Sequence, residues 1–125
     1  MSNSYRDLIV WQRAVELSLA TYKLTSSFPM SEQFGLTNQM RRASVSIASN
    51  IAEGYGKSTR GEYRLFLGHA RGSIFELQTQ LLISRELVYG SRQMHCSAES
   101  LSNEVGRMLV AIMTKMGKKD PQPNP

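Results

Sequence analysis

The fold of this chain is decided by the stretch Arg41-Arg42-Ala43-Ser44-Val45-Ser46-Ile47-Ala48-Ser49-Asn50-Ile51-Ala52-Glu53-Gly54, which has the pattern of a helix with two unlike faces. Apolar side chains recur at spacings of three and four residues, the spacing of one helix face; they are Met40, Ala43, Ile47 and Ile51. A polar stripe lies beside them and consists of Arg42, Ser46, Asn50 and Glu53. Because serine and asparagine are poor helix formers, the polar stripe predicts a binding or assembly surface.

The segment before this stretch predicts another amphipathic helix. It begins near Ser4 and ends at Phe28-Pro29, because the residue before a proline is disfavoured in helical geometry. We expect its core-facing stripe to consist of Leu8, Trp11, Val15, Leu19 and Tyr22, which follow the same spacing.

Two glycines define the end of the second helix, which begins near Thr37 and ends near Glu53. Glycine accepts the left-handed C-cap conformation without a side-chain penalty. Gly54 and Gly56 are therefore predicted to stop this helix.

A capping box marks the start of the third helix. Thr59 is the predicted N-cap residue and Glu62 follows it at the required spacing. The helix extends to about Tyr89, where Gly90 closes it. Its predicted buried side consists of Tyr63, Phe66, Leu67, Ala70, Ile74, Leu77, Leu81 and Val88.

A fourth helix over residues 93–116 completes an all-α domain at residues 1–117. Its apolar stripe consists of Leu101, Val105, Met108, Leu109, Ile112 and Met116. Short connections between such helices favour an antiparallel up-down-up-down four-helix bundle. Residues 118–125 are rich in Lys and Pro, and we expect them to be a disordered C-terminal tail.

Charge and composition indicate a basic protein of a reducing compartment. The net charge is +5 and the isoelectric point about 9.7, which modestly favours polyanion partners such as RNA or DNA. The basic residues are spread along the chain, apart from one dense cluster of Lys115, Lys118 and Lys119. An ordinary solvated basic surface is therefore the alternative interpretation. A single cysteine, Cys96, excludes an internal disulfide. With no signal-peptide pattern and no membrane-length apolar stretch, we expect a cytoplasmic protein without a membrane partner.

The segment Gly54-Tyr55-Gly56-Lys57-Ser58-Thr59 superficially resembles the end of a phosphate-binding P-loop. That motif requires an earlier glycine where this chain has Ile51, and a strand where it has a helix. Free amides at the start of the third helix, with Lys57 and Arg60 nearby, nevertheless make a possible phosphate site. The alternative is a glycine C-cap followed by an ordinary N-cap.

No constellation for catalysis or metal binding is found in the sequence. His95 adjoins Cys96, but adjacent residues seldom bind one metal, and no carboxylate falls at the spacing of an HExxH-type site. Nothing resembles a catalytic triad or a pair of acids. The sequence therefore predicts a protein that is not an enzyme and has no metal and no cofactor.

The segment Arg71-Gly72-Ser73 interrupts the third helix with two small residues. Glycine costs about 1 kcal/mol relative to alanine inside a helix. We therefore expect a close helix crossing there, either within the bundle or between subunits.

Several spaced motifs together resemble the family of four-helix bundle proteins named for 23S rRNA intervening sequences. The resemblance covers residues 5 to about 89 strongly and the fourth helix weakly. The motifs are Leu8-Ile9-Val10-Trp11-Gln12 with Ala14, Phe28-Pro29, Gly35-Leu36 with Gln39, Arg41-Arg42-Ala43, Ser46-Ile47, Asn50-Ile51-Ala52-Glu53-Gly54, Phe66-Leu67, Ala70-Arg71-Gly72-Ser73, Glu76-Leu77 and Gln80-Leu81.

This resemblance implies a four-helix bundle that assembles as a ring-like homopentamer. It also implies a relationship to the accessory variability determinants of diversity-generating retroelements, which are basic and bind nucleic acid and a reverse transcriptase. Most members of the family have no established activity. A protein partner and a nucleic-acid partner are thus both expectations.

Two hypotheses follow from these observations. In the first, a non-enzymatic homo-oligomer binds RNA or DNA through the backbone; its predicted contacts are Arg41, Arg42, Lys57, Arg60 and Arg71. In the second, the protein is a structural or adaptor assembly without nucleic-acid binding. A polar network within or between subunits would then be formed by Arg42, Ser46, Asn50, Glu53 and Glu76.

Overall fold

The computed structural model describes residues 4–119, and they form the antiparallel four-helix bundle that the sequence predicts. The helices are α1 (Ile9–Thr25), α2 (Leu36–Tyr55), α3 (Arg60–Glu86) and α4 (Arg92–Lys119), with single 3-10 turns at Tyr5–Asp7 and Met30–Glu32. Each helix packs against the next in the chain, and α4 closes the ring by packing against α1. No strand occurs in residues 4–119. Lys118 and Lys119, which were predicted to belong to the disordered tail, are part of α4 instead. Residues 120–125 of the predicted tail lie outside the described residues.

One contiguous apolar core runs along the axis of the bundle. The predicted stripe of α2 is confirmed, since Met40, Ala43, Ile47 and Ile51 are all buried. Most of the predicted stripes of α3 and α4 are buried or half-buried as well. The largest fully buried side chains are Leu17, Leu24, Met40, Ile47, Ile51, Leu67, Ile74, Leu77, Leu81 and Leu109.

The prediction for α1 was only partly right about which side faces the core. Of the predicted stripe, Leu8 and Trp11 are half-buried and pack against the core. The buried side chains of this helix are Val10, Ala14, Leu17, Thr21, Leu24 and Thr25. Leu19, predicted to be buried, is 65% exposed, and Tyr22 is 42% exposed. Both stripes have helical spacing, so periodicity alone does not choose between them. Ser4 also caps the 3-10 turn by accepting from Arg6 N, and the helix begins only at Ile9.

Gly54 does not end α2, contrary to the sequence prediction. The helix continues to Tyr55, and Gly54 is buried inside it. The C-cap residue Gly56 has φ −82°, which is right-handed. A Cβ built on Gly54 would lie 2.8 Å from Phe66 Cβ and 3.1 Å from Tyr63 Cδ1. The glycine is therefore needed because α3 passes close to α2 at this point.

The turn between α3 and α4 contains a valine in a conformation that favours glycine. Val88, predicted to be buried, is 85% exposed and has φ +62°. Val88 N donates to Arg85 O, and Tyr89 N donates to Ser84 O, each at 2.9 Å. These two bonds define a Schellman motif, whose left-handed position is usually glycine.

We expect Val88→Gly to raise the free energy of unfolding by about 0.5–1 kcal/mol. A left-handed residue with a Cβ costs roughly 1–2 kcal/mol, and the extra freedom of glycine in the unfolded chain offsets part of the gain. Chemical denaturation of both proteins measures the difference. Val110→Gly, which places glycine inside α4 instead, is the control and lowers stability. A less stable V88G protein would contradict this account of the turn.

Candidate functional site

The five basic residues predicted to contact nucleic acid do not share one surface of the chain. Arg41 lies at the seam between α1 and α2, where its Nε donates to Thr25 Oγ1 at 2.9 Å and its Cζ lies 4.6 Å from the centre of the Tyr22 ring. Arg42 lies on the α2–α3 side, and Arg71 on the α3–α4 side. Arg41 is thus held by contacts within its own chain.

Lys57 and Arg60 do lie together, at the end of the bundle where α2 turns into α3. They line a depression of about 540 Å³ that also includes Lys115 from α4. Among the described residues that line it, none is acidic. We call these three residues the basic end. The sequence indicated Lys115 only as part of a basic cluster, because its position beside Lys57 depends on how α4 packs.

The floor of the depression at the basic end is apolar, and it consists of Leu8, Tyr63, Ile112 and Met116. Burial and the neighbouring Tyr55 raise the pKa of the Tyr63 hydroxyl. The centres of the Tyr55 and Tyr63 rings are 6.0 Å apart, and the two rings are arranged edge to face.

The N-cap of α3 is the one that the sequence predicted. Thr59 Oγ1 accepts a hydrogen bond from Glu62 N at 3.1 Å.

The predicted polar network is only partly formed within one chain. Ser46 Oγ lies 3.0 Å from Ser73 Oγ, and Asn50 Nδ2 donates to Ser46 O at 2.8 Å. Arg42, Glu53 and Glu76, in contrast, are exposed to solvent.

Ser73 is thus the small residue of the Arg71-Gly72-Ser73 segment that faces α2. A Cβ built on Gly72 would meet no atom within 4 Å. The expected close crossing therefore does not involve Gly72 inside the bundle.

Part of the α1 stripe that was expected in the core lines a groove on the outside of the bundle. Trp11, Val15 and Leu19 line it from α1, and Val45 and Ala48 line it from α2, around a cavity of about 340 Å³. We call this the outer apolar groove. Helix α1 is therefore apolar on two sides, a pattern typical of helices that are buried on both.

The remaining features concern the histidines, the cysteine, metal binding and contact with a membrane. His95 is buried, and its Nε2 lies 2.8 Å from Tyr89 O, so it supports the α3–α4 turn. His69 and Cys96 are exposed. Within residues 4–119, no group of three or more His, Cys, Asp or Glu side chains is placed to hold a metal ion. No helix in the same range is both long and apolar enough to cross a bilayer.

The fold and these surfaces define a class: an up-down-up-down helical bundle with a basic end and an apolar groove on its outside. Residues 6–111 match the sequence profile of the 23S rRNA-intervening sequence proteins, and the chain belongs to that family. A search among curated proteins found no match.

A solved structure from Bacteroides thetaiotaomicron, described as a protein of unknown function from the S23 ribosomal protein family, is similar in fold. The TM-score is 0.75 at 22% sequence identity, and the match covers 84% of this chain and 98% of that one. At this identity the likeness extends to the fold alone.

Proposed function

We propose that this chain is a non-enzymatic homo-oligomer, assembled as a pentamer, that binds RNA or DNA through the phosphate backbone. The observation that carries the proposal is the convergence of Lys57, Arg60 and Lys115 at one end of the bundle. Lysine and arginine side chains neutralise phosphates without reading the base sequence. The net charge of +5 on each chain supports the same function.

The outer apolar groove supports self-association. Leu19 and Val45 lie on its two sides and are 65% and 42% exposed. Apolar patches of this kind on a bundle are typical of protein contact sites. A second copy of the chain is the occupant that we propose, since the family resemblance implies a ring.

Assembly and nucleic-acid binding reinforce each other in this proposal. A ring repeats the basic end once per subunit, so one strand contacts several basic ends at the same time. Linked binding sites of this kind gain affinity through effective concentration without any new contact. A weak phosphate site on one chain is thereby sufficient.

The alternative is an assembly or adaptor protein that binds a protein partner and no nucleic acid. A specific observation favours it: Arg42 and Glu76 line one exposed polar pocket of about 340 Å³ between α2 and α3. Exposed groups of opposite charge give register and specificity to protein contacts. In this alternative the basic end is a solvated surface without a ligand.

The first test is the effect of removing charge from the basic end. We expect Lys57→Gln combined with Arg60→Gln to weaken RNA binding at least roughly tenfold at low salt, and to lower the slope of log K against log salt by about 2, because two phosphate contacts are lost. Fluorescence anisotropy over a salt series measures both quantities.

The matched control also removes one lysine and one arginine. Lys23 and Arg92 are exposed and lie at the opposite end of the bundle, so Lys23→Gln with Arg92→Gln leaves binding nearly unchanged. Equal losses in the two double variants would refute a role for the basic end. Light scattering on the same samples gives the mass, for which we expect about five subunits; a monomer would contradict the assembly.

A further inference from the structure

A second basic surface lies on the outer side of the bundle, in the groove between α3 and α4. Arg71 and Phe75 line it from α3, and Arg107 lines it from α4, around a cavity of about 430 Å³. Its floor is apolar and shallow because it includes Gly106, Val110 and Ala111. Among the described lining residues, acidic side chains are absent. We call this surface the α3–α4 groove.

Nearer the basic end, α3 and α4 form a second depression of about 540 Å³, which Arg64, Gly68 and Met113 line; we include it in the α3–α4 groove. Positions 64, 68, 71, 75 and 78 are three or four residues apart and therefore lie along one side of α3. From Arg64 to Gln78 the groove is about 21 Å long at 1.5 Å per residue. An OB fold, which holds a single strand in a basic groove, binds about 4–16 nucleotides, and the length of the α3–α4 groove suits the lower end of that range.

An exposed aromatic ring lies in the middle of the α3–α4 groove. Phe75 is 53% exposed, and Arg71 Cζ lies 5.2 Å from the centre of its ring. Exposed rings beside arginine are stacking platforms for unpaired bases, since every base has a π face. The apolar part of the groove can therefore bind bases while the arginines bind the phosphates next to them.

A pair of side-chain amides lies at the far end of the groove. Gln78 Nε2 donates to Asn103 Oδ1 at 3.1 Å, and to Ser102 Oγ at 3.3 Å. These bonds fix both amides and leave Gln78 Oε1 as an acceptor and Asn103 Nδ2 as a donor for a ligand. A donor beside an acceptor suits the edge of an unpaired base.

We propose that the α3–α4 groove binds single-stranded nucleic acid, with one base stacked on Phe75 and with phosphates on Arg64, Arg71 and Arg107. The inference rests on the proposed nucleic-acid function and adds to it the class of strand and the residues that select it. A duplex offers phosphates but keeps its bases stacked inside, out of reach of Phe75. The groove therefore prefers a single strand.

The experiment measures anisotropy with a fluorescein-labelled RNA of about 12 nucleotides, as a single strand and as a duplex of the same sequence. We expect the wild-type protein to bind the single strand more tightly. Phe75→Leu keeps an apolar side chain but removes the ring, and it weakens single-strand binding roughly tenfold. Phe75→Trp keeps a stacking ring and restores the affinity. Phe34→Leu, at a ring that is 86% exposed outside the groove, changes nothing.

The other outcomes of this experiment contradict either the proposed nucleic-acid function together with the groove inference, or the groove inference alone. If the wild-type protein binds neither RNA, both the proposed function and this inference fail. If it binds RNA but F75L behaves as F34L does, or if the duplex binds equally well, only the inference fails. If F75L changes the mass in light scattering and leaves RNA affinity intact, the groove is a contact between copies of this chain.

Discussion

Replacing Leu17 with alanine lowers the free energy of unfolding by about 3 kcal/mol, because Leu→Ala at a buried site loses both transfer free energy and packing around the cavity left behind. Leu17 is completely buried in the core, on a helix that packs against α2 and α4. Chemical denaturation at several protein concentrations measures the change and separates it from any contribution of assembly.

The control is Leu19→Ala, two positions along the same helix. Leu19 is 65% exposed, so at concentrations where the chain is monomeric we expect a change within about 0.5 kcal/mol. The two variants remove the same atoms from the same helix. If Leu19→Ala costs as much as Leu17→Ala in the monomer, α1 is oriented as the sequence stripe predicted and the outer apolar groove does not exist.

The second large effect is expected at the contact between α2 and α3. Gly54→Ala lowers the free energy of unfolding by about 2 kcal/mol, because overpacking costs typically 1–3 kcal/mol. The new Cβ would lie 2.8 Å from Phe66 Cβ, an atom attached to the backbone that cannot rotate away. The two helices must therefore separate.

Gly72→Ala is the matched control for Gly54→Ala. Gly72 is also inside a helix, but a Cβ there meets no atom within 4 Å. Alanine is favoured over glycine in a helix by about 1 kcal/mol, so this variant is more stable in the monomer. A thermal shift in opposite directions for the two variants is the expected result. Two stabilised variants would show that α2 and α3 do not need glycine at their contact.

The spacing of apolar residues and the helix-capping residues were sufficient to predict much of the fold. The stripe of α2 predicted its buried side correctly: Met40, Ala43, Ile47 and Ile51 are all buried, whereas Arg42 and Glu53 of the polar stripe beside them are exposed. Thr59 and Glu62 located the start of α3, since the hydrogen bond of a capping box joins residues close in the chain.

The candidate site was predictable only in part. Lys57 and Arg60 are neighbours in the chain and remained together in the structure, whereas Arg41, Arg42 and Arg71 lie on different sides of the bundle. The sequence prediction missed Arg107 and Phe75 as parts of one groove. Their proximity depends on the register between two antiparallel helices, and no local spacing encodes it.

The sequence by itself determined that the chain forms four amphipathic helices with a net positive charge, because helical period, caps and turns depend on residues that are near one another. The tertiary structure alone decided how α1 is rotated about its axis. Helix α1 has two apolar stripes, and only packing against α2 and α4 selects Leu17 for the core and leaves Leu19 outside. The need for glycine at position 54 likewise depends on Phe66 of α3, because close packing brings together residues that are not neighbours in the chain.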